Sequence, residues 1–212
     1  MKKPTNKLTK SQLYAVLTGI FTASLIISNI LAFKIFSFGK YVLPAAVIMF
    51  PIVYIINDVL SEIYGYTKAK MAILTGFAMN LVAVIAYTIA IKLPAPIFFE
   101  GQNAFAMVLS TSFRVLIASL LAYLVGGLVN AKVLVKMKES GKGGMLARFM
   151  TSTFFGEFMD SIIFISIAFG SSVPLAQIPM MIIVQASVKT LYEAIMFPIT
   201  KRVVLSIQKL KD

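Results

Sequence analysis

Ionisable side chains recur at helical spacing inside apolar stretches of the sequence. A spacing of three or four residues puts them on one face of a helix. Such groups can accept hydrogen bonds, exchange protons or bind a charged ligand, whereas a charge at the centre of a lone membrane helix costs about 2.5–3.5 kcal/mol. We therefore expect them to face a protein interior or a hydrated cavity. The acids are Asp58, Glu62, Glu157, Asp160 and Glu193, and the bases are Lys34, Arg114 and Lys189.

Other kinds of chemistry lack the necessary residues. The chain has no Cys, His or Trp, which removes thiolate and imidazole metal ligands and Cys or Ser–His nucleophiles. We expect no metal and no cofactor. Glu157 and Asp160 leave one enzymatic alternative, intramembrane hydrolysis by an acid pair that shares a proton at about 3 Å. Neighbours on one helix seldom meet in that way, so we do not expect an enzyme.

Long apolar segments must position these groups. The chain has 212 residues, of which 59% are hydrophobic and 13% charged, about half the charged fraction of a soluble domain. Six segments are each long enough to cross the hydrocarbon core, which takes about 20 residues. The sequence therefore predicts an all-α integral membrane protein with six transmembrane helices. The segments lie near residues 12–36, 42–63, 71–92, 104–132, 149–172 and 176–200.

Basic residues concentrate on one side of this arrangement. Fifteen Lys and Arg residues lie in the N-terminal tail, the second and fourth connections and the C-terminal end, whereas the other connections hold only Lys40 and Lys92. The positive-inside rule then places both termini in the cytoplasm of a multi-pass cell-membrane protein. The net charge of +12 is explained by an anionic leaflet, and nucleic acid is not expected as a partner. The predicted parts are a cytoplasmic basic tail (1–11), a six-helix transmembrane domain (12–205) and a cytoplasmic C-terminal tail (206–212).

Depth along the segments brings four charged groups together. Asp160 and Lys189 fall near the predicted midplane, and Arg114 and Asp58 lie within about 6–8 Å of it at 1.5 Å per residue. This predicts a polar cavity near the bilayer midplane. The alternative is a closed set of ion pairs, Asp160–Lys189 and Asp58–Arg114, that only fixes helix register. Five acids against three bases leave a negative surplus, which argues against a closed set.

A proline, two asparagines and many aromatic residues also suit such a pocket. Pro51 is predicted to lie inside the second helix and to bend it. Asn29 and Asn80 add amides at membrane depth, and 17 Phe and 8 Tyr residues could offer flat faces to an aromatic ligand.

Five blocks of sequence carry a family resemblance. They are "SNILAFKIF", "FPIVYIINDVLSEIYGY", "RVLIASLLAYLVGGLVN", "STFFGEFMDSIIFISIAFG" and "VQASVKTLYEAIMFPIT". In this order they resemble the queuosine precursor transporter family, also called the vitamin uptake transporter family, over residues 12–210. The resemblance implies uptake of a 7-deazaguanine compound for tRNA modification, namely 7-cyano-7-deazaguanine, 7-aminomethyl-7-deazaguanine or queuine.

The resemblance also implies a set of ligand-binding positions. Asn29, Asp58, Arg114, Asp160 and Lys189 match the family's polar positions. Glu62, Glu157 and Glu193 belong to only some members, and we include them among the expected substrate-binding residues. Gly127 stands where many relatives have Gln.

Two questions about assembly stay open at this point. The six-helix layout with a cytoplasmic N-terminus also fits the substrate-capturing S-component of an energy-coupling-factor vitamin importer. The small-xxx-small pair Ala15 and Gly19 suits docking on another helix. A homodimer and a coupling subunit are therefore both left open as partners.

Overall fold

The computed structural model describes residues 9–31, 34–38, 41–110, 113–141, 143–170 and 174–209. The side chain of Arg114 lies outside the described part, although its backbone belongs to a helix. The elements in chain order are α1 (Lys10–Leu31), β1 (Ile35–Phe38), β2 (Tyr41–Pro44), α2 (Phe50–Lys92), α3 (Gln102–Leu109), α4 (Phe113–Glu139), α5 (Met145–Phe169) and α6 (Ile178–Gln208), with 3-10 turns at Ala45–Ile48 and Leu175–Gln177.

A reciprocal capping box starts α1. The Thr9 hydroxyl accepts a hydrogen bond from the Gln12 backbone N–H at 3.2 Å, and the Gln12 side chain accepts one from the Thr9 N–H at 3.0 Å. These bonds satisfy two backbone donors that a helix start leaves free.

The end of α1 differs from the prediction. The sequence predicts helix to residue 36, but α1 ends at Leu31. Residues 35–38 instead pair antiparallel with residues 41–44, with Ile35 opposite Pro44. This stretch is rich in β-branched and aromatic residues, which favour strands, so a short hairpin replaces the predicted helix end.

Helix α2 contains a reversal. Gly65 has φ 77° and ψ 175°, which is not helical, and only glycine adopts this backbone region readily. The helix therefore consists of a first arm (50–64) and a second arm (66–92). Pro51 lies at the first turn of α2 rather than inside a span. The predicted bend at Pro51 is wrong, because a proline at a helix start breaks no hydrogen bond.

Contacts with α1 show that the two arms run in opposite directions. The Ala45 N–H, just before the first arm, bonds to the Lys34 carbonyl beyond the end of α1. The Tyr64 hydroxyl, at the end of that arm, donates to the Lys10 carbonyl at 2.9 Å. The first arm thus returns along α1. The second arm runs with α1 again, since Asn29 donates to Asn80 at 2.9 Å.

The later helices meet this pair at a common end, which we call the basic end. It is marked by an ion pair of 2.9 Å between Arg148 at the start of α5 and Glu62. Lys138, near the end of α4, donates to the backbone carbonyl of Glu62. Ile207, near the end of α6, belongs to a buried cluster with residues of α2, α4 and α5 at the same end.

Helix α4 differs from the predicted segment at both ends. The predicted segment 104–132 is interrupted at Ser110, which is extended, and α4 continues to Glu139. Its last turn contains Lys136 and Lys138, and basic residues stabilise the C-terminal end of a helix dipole. Residues expected in a polar loop are therefore helical.

Five helices of the described residues are long and apolar enough to cross a membrane. The protein is thus a helical membrane protein, with one short hairpin in its described part. The candidate of 41 residues, Ile52–Lys92, would span about 60 Å if straight, twice the hydrocarbon thickness of about 30 Å. Its reversal at Gly65 divides it into two shorter arms that run in opposite directions along α1.

Candidate functional site

The charged groups predicted from the sequence separate into three clusters in the structure. The first joins Lys189 to Glu157 and Asp160, and the second places Asp58 opposite Glu193. The third is the Glu62 cluster at the basic end.

Lys189 lies between two carboxylates of α5. Its ammonium donates to Asp160 Oδ2 at 2.6 Å and lies 2.7 Å from Glu157 Oε2. The second contact is an ion pair without hydrogen-bond geometry. Glu157 Oε2 is buried and receives no well-aligned hydrogen bond within the described part. Glu157 and Asp160 are three residues apart and face the same way. Glu157 therefore holds Lys189 by charge, whereas Asp160 also accepts a well-aligned hydrogen bond from it.

These three residues border a cavity of about 380 Å³, within the range of small-molecule sites, about 300–1,000 Å³. Its walls come from α1, the first arm of α2, α4, α5 and α6. The lining residues are Phe21, Leu25, Ser28, Asn29, Ala46, Val53, Tyr54, Asn57, Ser119, Ala122, Tyr123, Gly126, Gly127, Asn130, Gly156, Glu157, Asp160, Phe164, Gln185 and Lys189.

Aromatic rings occupy part of this wall. Phe21 and Tyr123 lie with ring centroids 6.2 Å apart and planes tilted by 42°, and Tyr54 and Phe164 also line the cavity. The Tyr54 side chain is within hydrogen-bonding reach of Glu157. Flat apolar faces therefore lie close to the charged groups, as recognition of a flat polar ligand requires.

Glycine contacts bring α4 and α5 close together beside the charged groups. A Cβ at Gly126 would lie 2.9 Å from Cβ of Asp160 and 2.9 Å from the carbonyl oxygen of Gly156. A Cβ at Gly156 would lie 2.7 Å from Cβ of Asn130. No side chain fits at either position without movement, so this approach sets where Asp160 projects.

The second cluster lies behind the cavity wall. Asp58 is 1% exposed and Glu193 is fully buried, and their carboxyl groups are within hydrogen-bonding reach of each other. Neither residue lines the cavity. Asn130 connects the two regions, because it lines the cavity and lies beside Asp58.

The third cluster lies outside the cavity. Glu62 is 1% exposed and pairs with Arg148 at 2.9 Å and with Lys138 at 3.8 Å. These contacts join α2, α4 and α5 at the basic end. They give Glu62 an anchoring position between helices.

The predicted binding residues thus have different surroundings. Asn29, Glu157, Asp160 and Lys189 line the cavity, whereas Asp58, Glu62 and Glu193 do not. The side chain of Arg114 lies outside the described residues. The predicted Asp160–Lys189 pair is present, yet it borders a void rather than closing a packed network.

Sequence reasoning missed the polar face of α4. Ser119, Tyr123 and Asn130 line the cavity together with Gly126 and Gly127. Their spacing of four, three and four residues follows one helix face. The helical spacing of these residues is visible in the sequence. Because the stripe holds no charge, it does not stand out from the apolar residues around it.

No metal site is apparent in the part of the chain that the structure describes. There, no group of three or more Asp, Glu, His or Cys side chains could hold an ion. The cavity can instead offer a cation, open carboxylate oxygens, amides and aromatic faces. These groups suit a small, polar, flat molecule.

The model of the vitamin uptake transporter family matches residues 44–203. The chain belongs to this family. The match runs from the last residue of β2 through most of α6, and so covers every cavity wall except α1. No curated protein and no solved structure matches the chain significantly. Membership makes the protein a transporter, and the cavity is its candidate substrate site.

Proposed function

We propose that the protein is a six-helix carrier that imports a queuosine precursor of the 7-deazaguanine class for tRNA modification. The observation that carries the proposal is the cavity in a vitamin uptake transporter where Glu157, Asp160 and Lys189 meet aromatic rings. The substrate assignment also depends on the sequence blocks that resemble queuosine precursor transporters.

The Glu157 carboxylate in the cavity wall supports a guanine-like ligand. A guanine edge presents a ring N–H and an exocyclic amine side by side, and a carboxylate can accept both. In our proposal Glu157 takes this edge, while Asp160 keeps Lys189 in place. Lys189 or Asn29 then donates to the ring carbonyl, and the ring stacks on a neighbouring aromatic side chain.

We further propose that both termini lie in the cytoplasm of a cell-membrane protein. The basic end holds Lys68, Lys138 and Arg148, and the first residue of α1 and the last turns of α6 lie at the same end. Clustered Lys and Arg mark the cytoplasmic side of membrane helices. Six passes then return the chain to its starting side.

A rescue experiment tests the substrate. The chain is expressed in a bacterium that lacks queuosine synthesis and its own precursor transporter, and each precursor is fed separately. We expect modified tRNA with at least one precursor at external concentrations where the empty vector gives none. Normal membrane expression with no rescue by any of the three compounds would refute the substrate assignment.

A second candidate is a substrate-capturing S-component. Ala15 and Gly19 are exposed on the outer face of α1, and a Cβ at Gly19 would meet nothing within 4 Å. This small-residue face is open to another helix. Copurification with a coupling subunit would support this candidate, whereas uptake by the purified chain in liposomes would exclude an obligate subunit. A homodimer through the same face is tested by mass determination in detergent.

A further inference from the structure

Two acids face each other inside the bundle, and no base of the described part of the chain pairs with them. Asp58 of α2 is 1% exposed and Glu193 of α6 is fully buried. All four of their carboxylate oxygens are buried, and none receives a hydrogen bond of good geometry in the described part of the chain. Their carboxyl groups are nevertheless within hydrogen-bonding reach of each other. Two carboxylates can share such a contact only if one of them carries a proton.

Among the described side chains, the nearby charges do not neutralise the pair. Lys189 is engaged by Glu157 and Asp160, and Arg148 is engaged by Glu62. Among the described residues, the ionisable groups that face the pair are Glu62 from α2, Glu157 from α5 and Tyr192 from α6, and none of them is a base, while α4 contributes the neutral amide of Asn130. Two adjacent negative charges in this low-dielectric setting would repel strongly. A shared proton removes that repulsion.

Unpartnered polar atoms next to the pair also indicate a site that binds something. Asn130 is 6% exposed and its Oδ1 has no hydrogen-bond partner in the described region. Ser61, three residues after Asp58, is fully buried and its hydroxyl is likewise without a partner there. Buried polar groups are normally satisfied. Here Ser61 follows Asp58 by one turn of α2, and Asn130 of α4 lies beside Asp58.

We propose that Asp58 and Glu193 form a proton-binding site that couples substrate import to proton entry. The shared proton is taken up from the outer side and released to the cytoplasm in each transport cycle. This inference rests on the proposed carrier function, because coupling requires a transported substrate.

The same two helices carry the acid pair and the substrate cavity. Glu193 lies four residues after Lys189 on α6, and Asp58 lies four residues after Tyr54 on α2, so each acid shares a helix face with a cavity residue. Loss of the proton makes the acids repel and pushes the first arm of α2 away from α6. The cavity walls that hold Lys189 and Tyr54 then move apart together.

A proton suits this site better than a metal cation. Hard cations such as Ca²⁺ take about six to eight oxygen ligands, and no group of three or more acids that could hold an ion occurs among the described residues. One proton between two carboxylates needs no further ligand. Binding of this proton also neutralises one of the two adjacent negative charges.

Infrared spectroscopy of the purified protein tests the proton without any substrate. We expect a carboxylic acid C=O band at neutral pH that shifts in D₂O. The band is lost in the double variant Asp58→Asn, Glu193→Gln, which keeps the size of both side chains. The control Glu100→Gln, an exposed loop acid, keeps the band. A band that persists in the double variant, or no band in the wild type, would overturn the shared proton.

Uptake by proteoliposomes tests the coupling. With one proton per substrate, an inward gradient of one pH unit accumulates 7-cyano-7-deazaguanine about tenfold, since one unit is equivalent to a factor of ten. In the double variant the ratio of driven to undriven uptake falls to one, whereas Glu100→Gln keeps the wild-type ratio.

The outcomes separate this inference from the proposed function. Exchange of the labelled precursor that ignores the pH gradient, or that responds to a sodium gradient instead, overturns proton coupling and leaves the carrier proposal standing. No exchange at all, with the acid band intact in the wild type, refutes the substrate assignment and supports the proton-binding site.

Discussion

At the scale of single residues, Lys189 determines the character of the cavity. Its side chain is 23% exposed, and the two carboxylates that hold it are 18% and 10% exposed. A lone ammonium at this depth would be costly, and the neighbouring acids offset that cost. Because Asp160 makes the hydrogen bond and Glu157 only the ion pair, the two acids are not equivalent.

Replacing Asp160 with Asn tests that difference. The variant loses the hydrogen bond that orients Lys189, and a hydrogen bond to a charged group contributes about 1.5–3 kcal/mol. We expect the initial uptake rate of the labelled precursor to fall at least about tenfold, while the protein still inserts. Glu100→Gln serves as the control with unchanged uptake. Near-normal uptake by Asp160→Asn would remove this residue from the site.

Much of the residue-level picture was predictable because charge in an apolar helix is a strong signal. Asp160 and Lys189 were expected together near the midplane, and the structure pairs them. The partner of Asp58 was not predictable, because helical spacing gives the face of a residue but not the helix opposite it. Glu193 of α6 occupies that place, and only packing of α6 against α2 could reveal it.

At the scale of helices, the contact between α4 and α5 is set by two glycines. A Cβ added at Gly126 or at Gly156 would lie less than 3 Å from atoms of the neighbouring helix. Small residues at such crossings let helix backbones approach closely in membranes. The contact lies beside Asp160, so helix spacing and site geometry are linked.

Two variants at adjacent glycines distinguish the effect of changed spacing between α4 and α5 from the effect of losing a glycine. Gly126→Ala places its Cβ 2.9 Å from Asp160, whereas Gly127→Ala meets only Ile73 at 3.6 Å, an ordinary contact. Overpacking costs about 1–3 kcal/mol. We expect Gly126→Ala to lower Tm in detergent, and Gly127→Ala to leave Tm nearly unchanged. Equal effects of the two variants would contradict the proposed role of the crossing.

The reversal in α2 depends on one backbone conformation. At Gly65 an added Cβ meets nothing within 4 Å, but φ is +77°. The strain of Gly65→Ala therefore comes from the backbone alone and costs about 1–3 kcal/mol. Gly19→Ala is the matched control, because it also meets nothing but lies in a regular helix. Thermal unfolding should show a lower Tm for Gly65→Ala only; an unchanged Tm would show that the turn tolerates a side chain.

At the scale of the whole molecule, the basic end brings together Lys68, Lys138 and Arg148 from two helix connections. Labelling can test its side of the membrane. The chain has no Cys, so single substitutions give clean signals. We expect Lys209→Cys and Thr67→Cys to react with an impermeant maleimide only after permeabilisation, and Ile97→Cys to react in intact cells. Reaction of Lys209→Cys and Ile97→Cys from the same side would contradict an even number of passes.

The helical bundle was predictable from the sequence, whereas the helix ends and the connections between helices were less so. Apolar length and composition predict a helical membrane bundle, since a bilayer allows few other solutions. The hairpin after Leu31 and the continuation of α4 to Glu139 were not predicted. Hydropathy reports how apolar a stretch is but not whether its backbone stays helical. Gly65 was not singled out, because an isolated glycine is common and its φ is invisible in sequence.

The single-residue turn at Gly65 has a consequence for biogenesis. The first arm of α2 carries Asp58 and Glu62, and acids in a helix are penalised heavily when the translocon passes it to lipid. The second arm is mostly apolar and partitions readily into the bilayer. Because one glycine joins them, we expect the two arms to leave the translocon together as a helical hairpin. The apolar second arm would thereby bring into the bilayer the polar first arm, which could not enter alone.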